Sequence, residues 1–533
     1  MNPLWKIAAA VVSGALLALA FPPFEIWQAA WVALVPLLIA LALSGPREGF
    51  RLGFLSGLVC WLVSMGWMLR LLDTSPAPAA LILAGWLLLC GYCSLFAGGF
   101  GMTLAWAAQR VGTAKLWQTL LLTVAAPALW CGFEYLRSIA LGGFPWNLLG
   151  VTQFRNVFLI QPAEWFGVYG ISAVLVVFNA GAAFTALRYL PGRGGGVYRP
   201  HIELFVGLMT AAACFRGGML MSRDLTISGN RFAVAAVQPA VPQLKKWDDC
   251  MADPIHATLR SLTQEAATNA VRPDLIVWPE TATPYCVTDE RYGSLDLVKD
   301  LCRLGVPLLV GSMDAWETNG EVICYNASFL FDADGRIVQR YDKQHLVPFG
   351  EYIPLSGAIP ILARLAPMGW NCTPGREATV FRLAASDTRF SALICFEDAM
   401  PWLSREFVRR GARLLVNQTN DAWFDRTSGP AQHLAQCVFR AVENRVPVVR
   451  VANSGVTCLI EANGLIVDAT DNSRTEPPEA LVRTWVAAPS DKAMPLTLYT
   501  RYGDRLFALP CGLIAGICLV FAFVASRRET EAC

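Results

Sequence analysis

The chain has 533 residues, of which 55% are hydrophobic and only 16% charged, with a formal net charge of +2. A mean hydropathy of +0.43 is too high for a wholly soluble protein, and the charge balance gives no basic face of the kind a nucleic-acid partner needs. The length allows two or three domains, and polarity is unevenly spread: acids are sparse before residue 225, whereas 228–490 has ordinary globular polarity.

Crossing a hydrocarbon layer of ~30 Å takes about 20 apolar residues as a helix. Seven stretches qualify ahead of the polar part, at 5–22, 27–44, 51–72, 79–108, 117–136, 165–189 and 203–221, and an eighth lies at 506–526. The fourth is longer than a span requires, which predicts a tilted or partly interfacial helix, and Arg216 interrupts the seventh. The first ends in Phe21-Pro22-Pro23-Phe24 without a small-residue cleavage site, and another span follows at once, so it reads as a span and not as a signal peptide. With the N-terminus inside, the inner loops hold Arg47, Arg51, Arg110, Lys115, Arg188, Arg193 and Arg199, and Arg527 and Arg528 follow the last span; the short outer loops hold Arg70, Arg137 and Arg155. Positive charge on inner loops sets orientation. The expected plan is a seven-helix membrane domain over 1–225, a catalytic domain over 228–490 on the outer (in a bacterium, periplasmic) face, and a C-terminal transmembrane helix over 506–526. Both termini are then cytoplasmic.

Between these spans, β-rich runs at 232–237, 275–278, 307–311, 327–331, 337–341, 391–395, 414–417, 448–451 and 457–460 alternate with helical patterns near 254–270, 294–304, 401–411 and 430–445. Several runs are continuously apolar, as strands covered on both faces are. The pattern predicts a layered α/β domain with two sheets and outer helices, and chemistry gathered at strand C-terminal ends.

Three strand ends carry reactive side chains: Leu275-Ile-Val-Trp-Pro-Glu280, Tyr341-Asp-Lys343 running on to Glu351, and Leu393-Ile-Cys395-Phe-Glu397-Asp398. A cysteine between a strand and a helix N-terminus is expected to have a lowered thiol pKa. A thiol attacking an ester or amide needs a base, for which Glu280 is suited, and a cation for the oxyanion, for which Lys343 is suited. Glu351 can orient that lysine or serve as a second acid/base. Only four histidines exist (201, 256, 345, 433), and neither a G-x-S-x-G elbow nor an H-E-x-x-H motif is present, so a Cys-His protease or a histidine-based metal site is disfavoured. No metal and no cofactor are expected.

These strings resemble the carbon–nitrogen hydrolase (nitrilase) superfamily, and within it the apolipoprotein N-acyltransferases. The resemblance rests on Gly143-Phe-Pro-Trp146, Pro239 with Lys246-Trp247, Trp278-Pro-Glu280, Lys343-Gln-His-Leu-Val-Pro-Phe-Gly-Glu351-Tyr, Ile394-Cys-Phe-Glu397, Asn420-Asp-Ala-Trp-Phe424, Gly429-Pro-Ala-Gln-His433, Arg440-Ala-Val-Glu-Asn-Arg445 with Pro447 and Arg450, and Tyr499 with Gly503-Asp504. It covers nearly the whole chain and implies an αββα sandwich, a Glu280–Lys343–Cys395 triad supported by Glu351, Phe396 and Glu397, and acyl transfer from a membrane phospholipid, through a thioester, to the α-amino group of a diacylglyceryl-modified apolipoprotein. Phe396 departs from the pattern, a tyrosine being expected after the nucleophile. The expected protein is an integral membrane monomer.

Other readings stay open. Cys90-Gly-Tyr-Cys93 spells C-x-x-C but lies in a long apolar helix, where packing explains it. Glu134 and Arg216 are either functional intramembrane charges or paired and snorkelling ones. Phe144 and Trp146 are either an interfacial aromatic anchor or the wall of a lipid-access cleft. Trp423 and Phe424 are either core aromatics or, with Trp247, a border of the acyl site. A membrane-tethered amidase and a transporter with an inactive sensor domain are the competing functions. Disulfides among the outer-domain cysteines 250, 286, 302, 324, 372, 437 and 458 cannot be read from spacing.

Overall fold

A computed structural model describes residues 4–190, 200–223, 231–290, 293–318, 321–353, 371–384, 386–472, 479–487 and 495–530. The chain divides into two compact units, one formed by Met1–Trp67, Leu83–Asp224 and Arg501–Cys533, the other by Met68–Ile82 and Leu225–Thr500.

The first unit is helical. Among the described residues, four helices are long and apolar enough to cross a membrane, namely Ala79–Val111, Leu116–Gly142, Ala163–Tyr189 and Ile202–Met221; taking Pro46–Ser64 and Gly66–Thr74 as one broken span makes five. Two of the eight expected spans fall short, at Leu4–Leu19 and Trp27–Ala42, whereas the last lies in a helix running Arg505–Thr530. The causes are local. Pro22 and Pro23 lie just past Leu19 and stop the first helix. The second is broken into a 3₁₀ turn, Trp27–Trp31, and a helix Val35–Ala42 that opens on Pro36. Helices pack closely where side chains are absent: a Cβ on Gly49 would sit 2.5 Å from the Gly101 carbonyl. Cys90 and Cys93 are buried free thiols within Ala79–Val111. Glu134 is buried and accepts the Leu149 N–H at 2.7 Å, whereas Arg216 is exposed.

The second unit holds, among its described residues, two six-stranded sheets. The first has β1 (Phe232–Gln238), β2 (Leu275–Val277), β3 (Leu308–Thr318), β4 (Glu321–Phe331), β5 (Ile337–Asp342) and β12 (Leu481–Ala487), ordered β12-β1-β2-β3-β4-β5. The second has β6 (Phe381–Arg382), β7 (Arg389–Ile394), β8 (Leu414–Thr419), β9 (Val448–Ala452), β10 (Val456–Ile460) and β11 (Ile466–Asp471), ordered β11-β10-β9-β8-β7-β6. The central strands β1-β2-β3 and β7-β8-β9 run parallel, and the outer ones are antiparallel. Nine runs read from the sequence coincide with strands, but β6, β11 and β12 were not expected, and β3 and β4 extend beyond the expected runs into a long hairpin.

Helices Ala252–Ala267 and Ser294–Cys302 cover the first sheet, burying Leu259, Val298 and Leu301 with Ile276, Trp278 and Val310. Pro401–Arg409 and Gly429–Asn444 serve the second sheet, completing an αββα sandwich. The sheets are tied across their interface by polar struts. The Gln418 amide accepts from the Ser328 hydroxyl at 2.6 Å and donates to the Trp278 carbonyl at 2.6 Å. Trp278 directly precedes Pro279 and Glu280, so this strut fixes the strand end on which a reactive carboxylate stands. Gln418→Met conserves bulk but orphans a buried hydroxyl and a buried carbonyl, each costing ~1–3 kcal/mol. Thermal unfolding of the full-length variant should show a midpoint several degrees below wild type; an unchanged midpoint removes the strut.

Candidate active site

Three strand ends meet in the second unit. Glu280, 8% exposed, follows β2 where Pro279 ends the ladder. Its position depends on a glycine: a Cβ on Gly311 would lie 2.2 Å from the Pro279 carbonyl and 2.9 Å from Glu280 Cα, so β3 can pass this close only without a side chain. Lys343 follows β5, its N–H donating to the Asn326 carbonyl at 2.9 Å.

The Lys343 ammonium is 1% exposed and lies 2.8 Å from Glu351 Oε1 and 3.3 Å from Glu280 Oε1. Asn326 donates to the same two oxygens, at 2.7 Å to Glu280 and 2.8 Å to Glu351. Glu351 Oε2 takes the Val347 N–H at 2.8 Å. Burial opposes the lysine's charge, but Glu351 and Glu280 raise its pKa well above the ordinary value, so the lysine is held as an ammonium. Glu351, which sequence reasoning left between two roles, is in contact with the lysine and shares it with Glu280. A second buried lysine, Lys246, donates to the Glu280 carbonyl at 3.2 Å and to Thr281 Oγ1 at 2.7 Å. Burial pushes it down to about 8, against the pull of Glu280.

Cys395 sits between β7 and a 3₁₀ turn, Cys395–Ala399, with φ +52°, a left-handed backbone that costs a non-glycine residue ~1–3 kcal/mol and persists only when its surroundings enforce it. Those surroundings are explicit. Glu397 reaches back to the Ile394 N–H at 2.8 Å, and its other oxygen accepts from the Gln344 N–H at 2.7 Å, the His345 N–H at 3.1 Å and the Tyr341 hydroxyl at 2.8 Å. One buried carboxylate thus joins the Cys395 turn to the Lys343 loop; burial raises it to about 7 despite these donors. The Cys395 carbonyl accepts from Asn417 Nδ2 at 3.3 Å and His433 Nε2 at 3.2 Å.

The thiol corrects one expectation. The helix begins at Pro401, as the sequence pattern predicts, with a short 3₁₀ turn between it and the strand, but the thiol pKa lies well above its ordinary value instead of below it. Burial is the main cause, with Glu280 and Asp421 acting the same way, against Lys343 and a hydrogen bond with Thr419. The resting nucleophile is therefore a neutral thiol beside a carboxylate. His345 is a weakened base, since burial and Lys343 push it down to about 4.

Behind the turn lies a buried set of four charges that the sequence reading did not assign. Arg450 is fully buried on β9 and pairs with Asp398 at 2.9 Å and Asp421 at 2.7 Å. His433 lies 2.9 Å from each of the same aspartates, through Nε2 to Asp398 and Nδ1 to Asp421. Burial alone would lower the imidazole, but Asp398 and Asp421 raise it to about 9. Two cations thus meet two carboxylates, and the imidazolium also grips the Cys395 carbonyl.

The aromatic candidates are dispersed. Trp247 is 47% exposed, with the Lys246 ammonium 6.0 Å from its ring centre. Phe396, which replaces the expected tyrosine, lies 5.9 Å from the His345 ring. Trp423 and Phe424 are half-buried on a 3₁₀ turn after β8, and the Trp423 carbonyl accepts from Thr74 at 2.9 Å. In the first unit, Phe144 and Trp146 stack at 6.3 Å and their carbonyls hold buried Arg137. Among the described residues no cluster of metal-ligating side chains occurs.

A Glu–Lys–Cys constellation on an αββα sandwich defines a carbon–nitrogen hydrolase type of domain, and the carbon-nitrogen hydrolase family matches residues 233–477. The apolipoprotein N-acyltransferase N-terminal domain family matches residues 13–181. The apolipoprotein N-acyltransferase of Geobacter metallireducens is 37% identical over 98% of this chain and 95% of its own, and that of Brucella melitensis 35% identical over 87% of each. The structure of Saccharomyces cerevisiae Nit3, a member of branch 10 of the nitrilase superfamily, covers 50% of this chain and 92% of its own at 18% identity and a TM-score of 0.38. The chain belongs to the apolipoprotein N-acyltransferase family.

The His433 imidazolium is favoured by folding, so its contribution to stability is complete below the unfolded-state value of ~6.5 and is lost as pH rises through about 9. Thermal midpoints of wild type and His433→Gln, measured from pH 6 to pH 10, should therefore differ most at the acid end and converge above pH 9. A gap that is constant across the range contradicts a charged His433.

Proposed function

We propose that this protein transfers a fatty acyl chain from a membrane phospholipid to the α-amino group of the N-terminal diacylglyceryl-cysteine of a lipoprotein, with Cys395 as nucleophile, Glu280 as base and Lys343 as the oxyanion's cation. The observation that carries the reading is the half-buried Cys395 held at a strand end within the electrostatic reach of a shared Glu280–Lys343–Glu351 cluster. It is supported by the activity for which the relatives are named, apolipoprotein N-acyltransferase.

In the first half-reaction Glu280 takes the thiol proton as sulfur attacks the ester carbonyl, and Lys343 stabilises the tetrahedral oxyanion. Collapse breaks the ester C–O bond; the lysophospholipid leaves with the proton from Glu280, and the acyl group stays as a thioester. In the second half-reaction Glu280 deprotonates the lipoprotein amine, nitrogen attacks the thioester, and the sulfur departs to recover its proton. Glu351 fixes Lys343, Glu397 with Phe396 sets the nucleophile's turn, and Trp247, Trp423, Phe424, Phe144 and Trp146 are the aromatic surfaces for lipid. No cofactor takes part.

The placement that suits this chemistry is an eight-span monomer of the bacterial inner membrane, with spans within 1–225 and 506–526, the catalytic part 228–490 on the periplasmic side and both termini in the cytoplasm. The apolar helices and the positive charge of the inner loops support it. Both substrates are then confined to one surface, which raises their effective concentration at the thiol.

Incubation with phospholipid bearing a labelled acyl chain should yield a hydroxylamine-sensitive adduct that Cys395→Ala lacks. Transfer to a diacylated lipopeptide should follow, which a small-amide hydrolase would not perform. Glu280→Gln and Lys343→Ala should each slow adduct formation by ~100-fold or more. An adduct undiminished in Cys395→Ala overturns the assignment, and normal turnover in either other variant removes that residue from the reaction.

A further inference from the structure

We infer that Cys324 and Cys372 form a disulfide bond that closes the loop carrying Lys343 and Glu351. Their sulfurs lie 3.6 Å apart, in contact, at a sequence separation of 48. Both residues are buried, in a small cluster with Met313 and Leu346, and half-buried Cys286 packs against its edge. Their backbones are already joined. The N–H of Thr373 donates to the Cys324 carbonyl at 2.7 Å, and the N–H of Cys372 donates to the Glu351 carbonyl at 2.8 Å. The main chain thus holds the two cysteines side by side, and the remaining approach to the ~2.05 Å bond length of a disulfide is left to side-chain rotation.

The position matters for the site. Asn326, two residues after Cys324 on the same strand, donates to both carboxylates that flank the lysine. Cys372 holds the backbone of Glu351 itself. A bond between them fastens the strand presenting Asn326 to the segment bracing Glu351, and the covalent loop so closed contains Lys343. Cys395 lies outside this loop, so the nucleophile's thiol is not consumed.

The reaction is a thiol–disulfide exchange with a disulfide-bearing oxidant, a low-molecular-weight disulfide or an oxidoreductase. One cysteine thiolate attacks a sulfur of the oxidant, breaking its S–S bond and releasing one thiol. The second cysteine then displaces the other thiol from the mixed disulfide. The protein loses two hydrogens, and the oxidant is reduced to two thiols. The Cys372 thiol is held above its ordinary value by the neighbouring Cys324 thiol and by burial, so the exchange is slower for the enclosed pair than for an exposed one.

Formation in the cell rests on the outer-face placement proposed above, because disulfides persist in oxidising compartments. The test uses the full-length wild-type chain. Cells are denatured directly into N-ethylmaleimide without reductant, and the digested protein is mapped by mass spectrometry. In parallel, protein is purified reduced, incubated with oxidised glutathione and mapped in the same way. The expected result is a peptide linking Cys324 to Cys372 in both samples, with Cys286 and Cys395 alkylated, and a thermal midpoint ~5–10 °C lower after reduction. A link formed only in vitro supports the pair and contradicts the outer-face placement. Alkylation of both cysteines in both samples, or a link from either to Cys286, overturns the inference.

Discussion

A lysine ammonium that is 1% exposed is a severe liability, since an unpaired buried charge would simply lose its proton. Lys343 keeps its charge because two carboxylates converge on it and Asn326 holds both of them. This requirement orders the domain around it. Glu280 must come from the end of β2, Lys343 from the end of β5, Asn326 from β4, and Glu351 from the loop beyond. The central parallel strands and the glycine at 311 exist in a geometry that lets these ends coincide. Permanent positive charge beside a thiol is what acyl transfer needs when charge develops on an oxygen, and it costs no reorganisation at that moment.

The nucleophile is governed by the same economy of buried charge. Cys395 occupies a left-handed backbone conformation, and nothing in its own sequence favours that. Glu397 draws the turn in from one side, while His433 and Asn417 hold its carbonyl from the other. The His433 grip is only as strong as its charge, and that charge exists because Asp398 and Asp421 flank it and Arg450 completes the balance. Breaking any member leaves its partners buried and unpaired, a loss of ~3–5 kcal/mol for a single ion pair. The turn is therefore braced by a set of buried charges behind it.

Much of this was legible in the sequence because the reactive residues interrupt apolar runs. Trp278-Pro-Glu280, Tyr341-Asp-Lys343 and Ile394-Cys395 each mark the point where a buried strand stops, and a charged or reactive side chain there has few structural explanations. Asn326 gave no comparable signal, for one amide inside the β4 run looks like any strand residue until its partners are known. Asp398, Asp421, His433 and Arg450 are spread over 53 positions, from 398 to 450, and only the fold gathers them. Strands β11 and β12 were missed because Ile-Val-Asp-Ala-Thr-Asp and Leu-Val-Arg-Thr-Trp-Val-Ala mix polar and apolar residues, as sheet-edge strands do, and β6 has only two residues. The thiol's protonation was misjudged for a different reason. Position beside a helix start suggested a lowered pKa, but burial outweighs a short 3₁₀ turn. The membrane spans show the limit of counting apolar residues, since prolines and a 3₁₀ break divide stretches that composition alone joins.

The central claim is that a neutral Cys395 thiol faces a fixed ammonium and a carboxylate base, and the state of that proton can be observed without turnover. The infrared S–H stretching band of the full-length protein at neutral pH, taken as the difference between wild type and Cys395→Ser, reports it directly. The account predicts a band lost on substitution, together with no thiolate absorbance in the ultraviolet difference spectrum. A difference spectrum without an S–H band, but with thiolate absorbance, would contradict it.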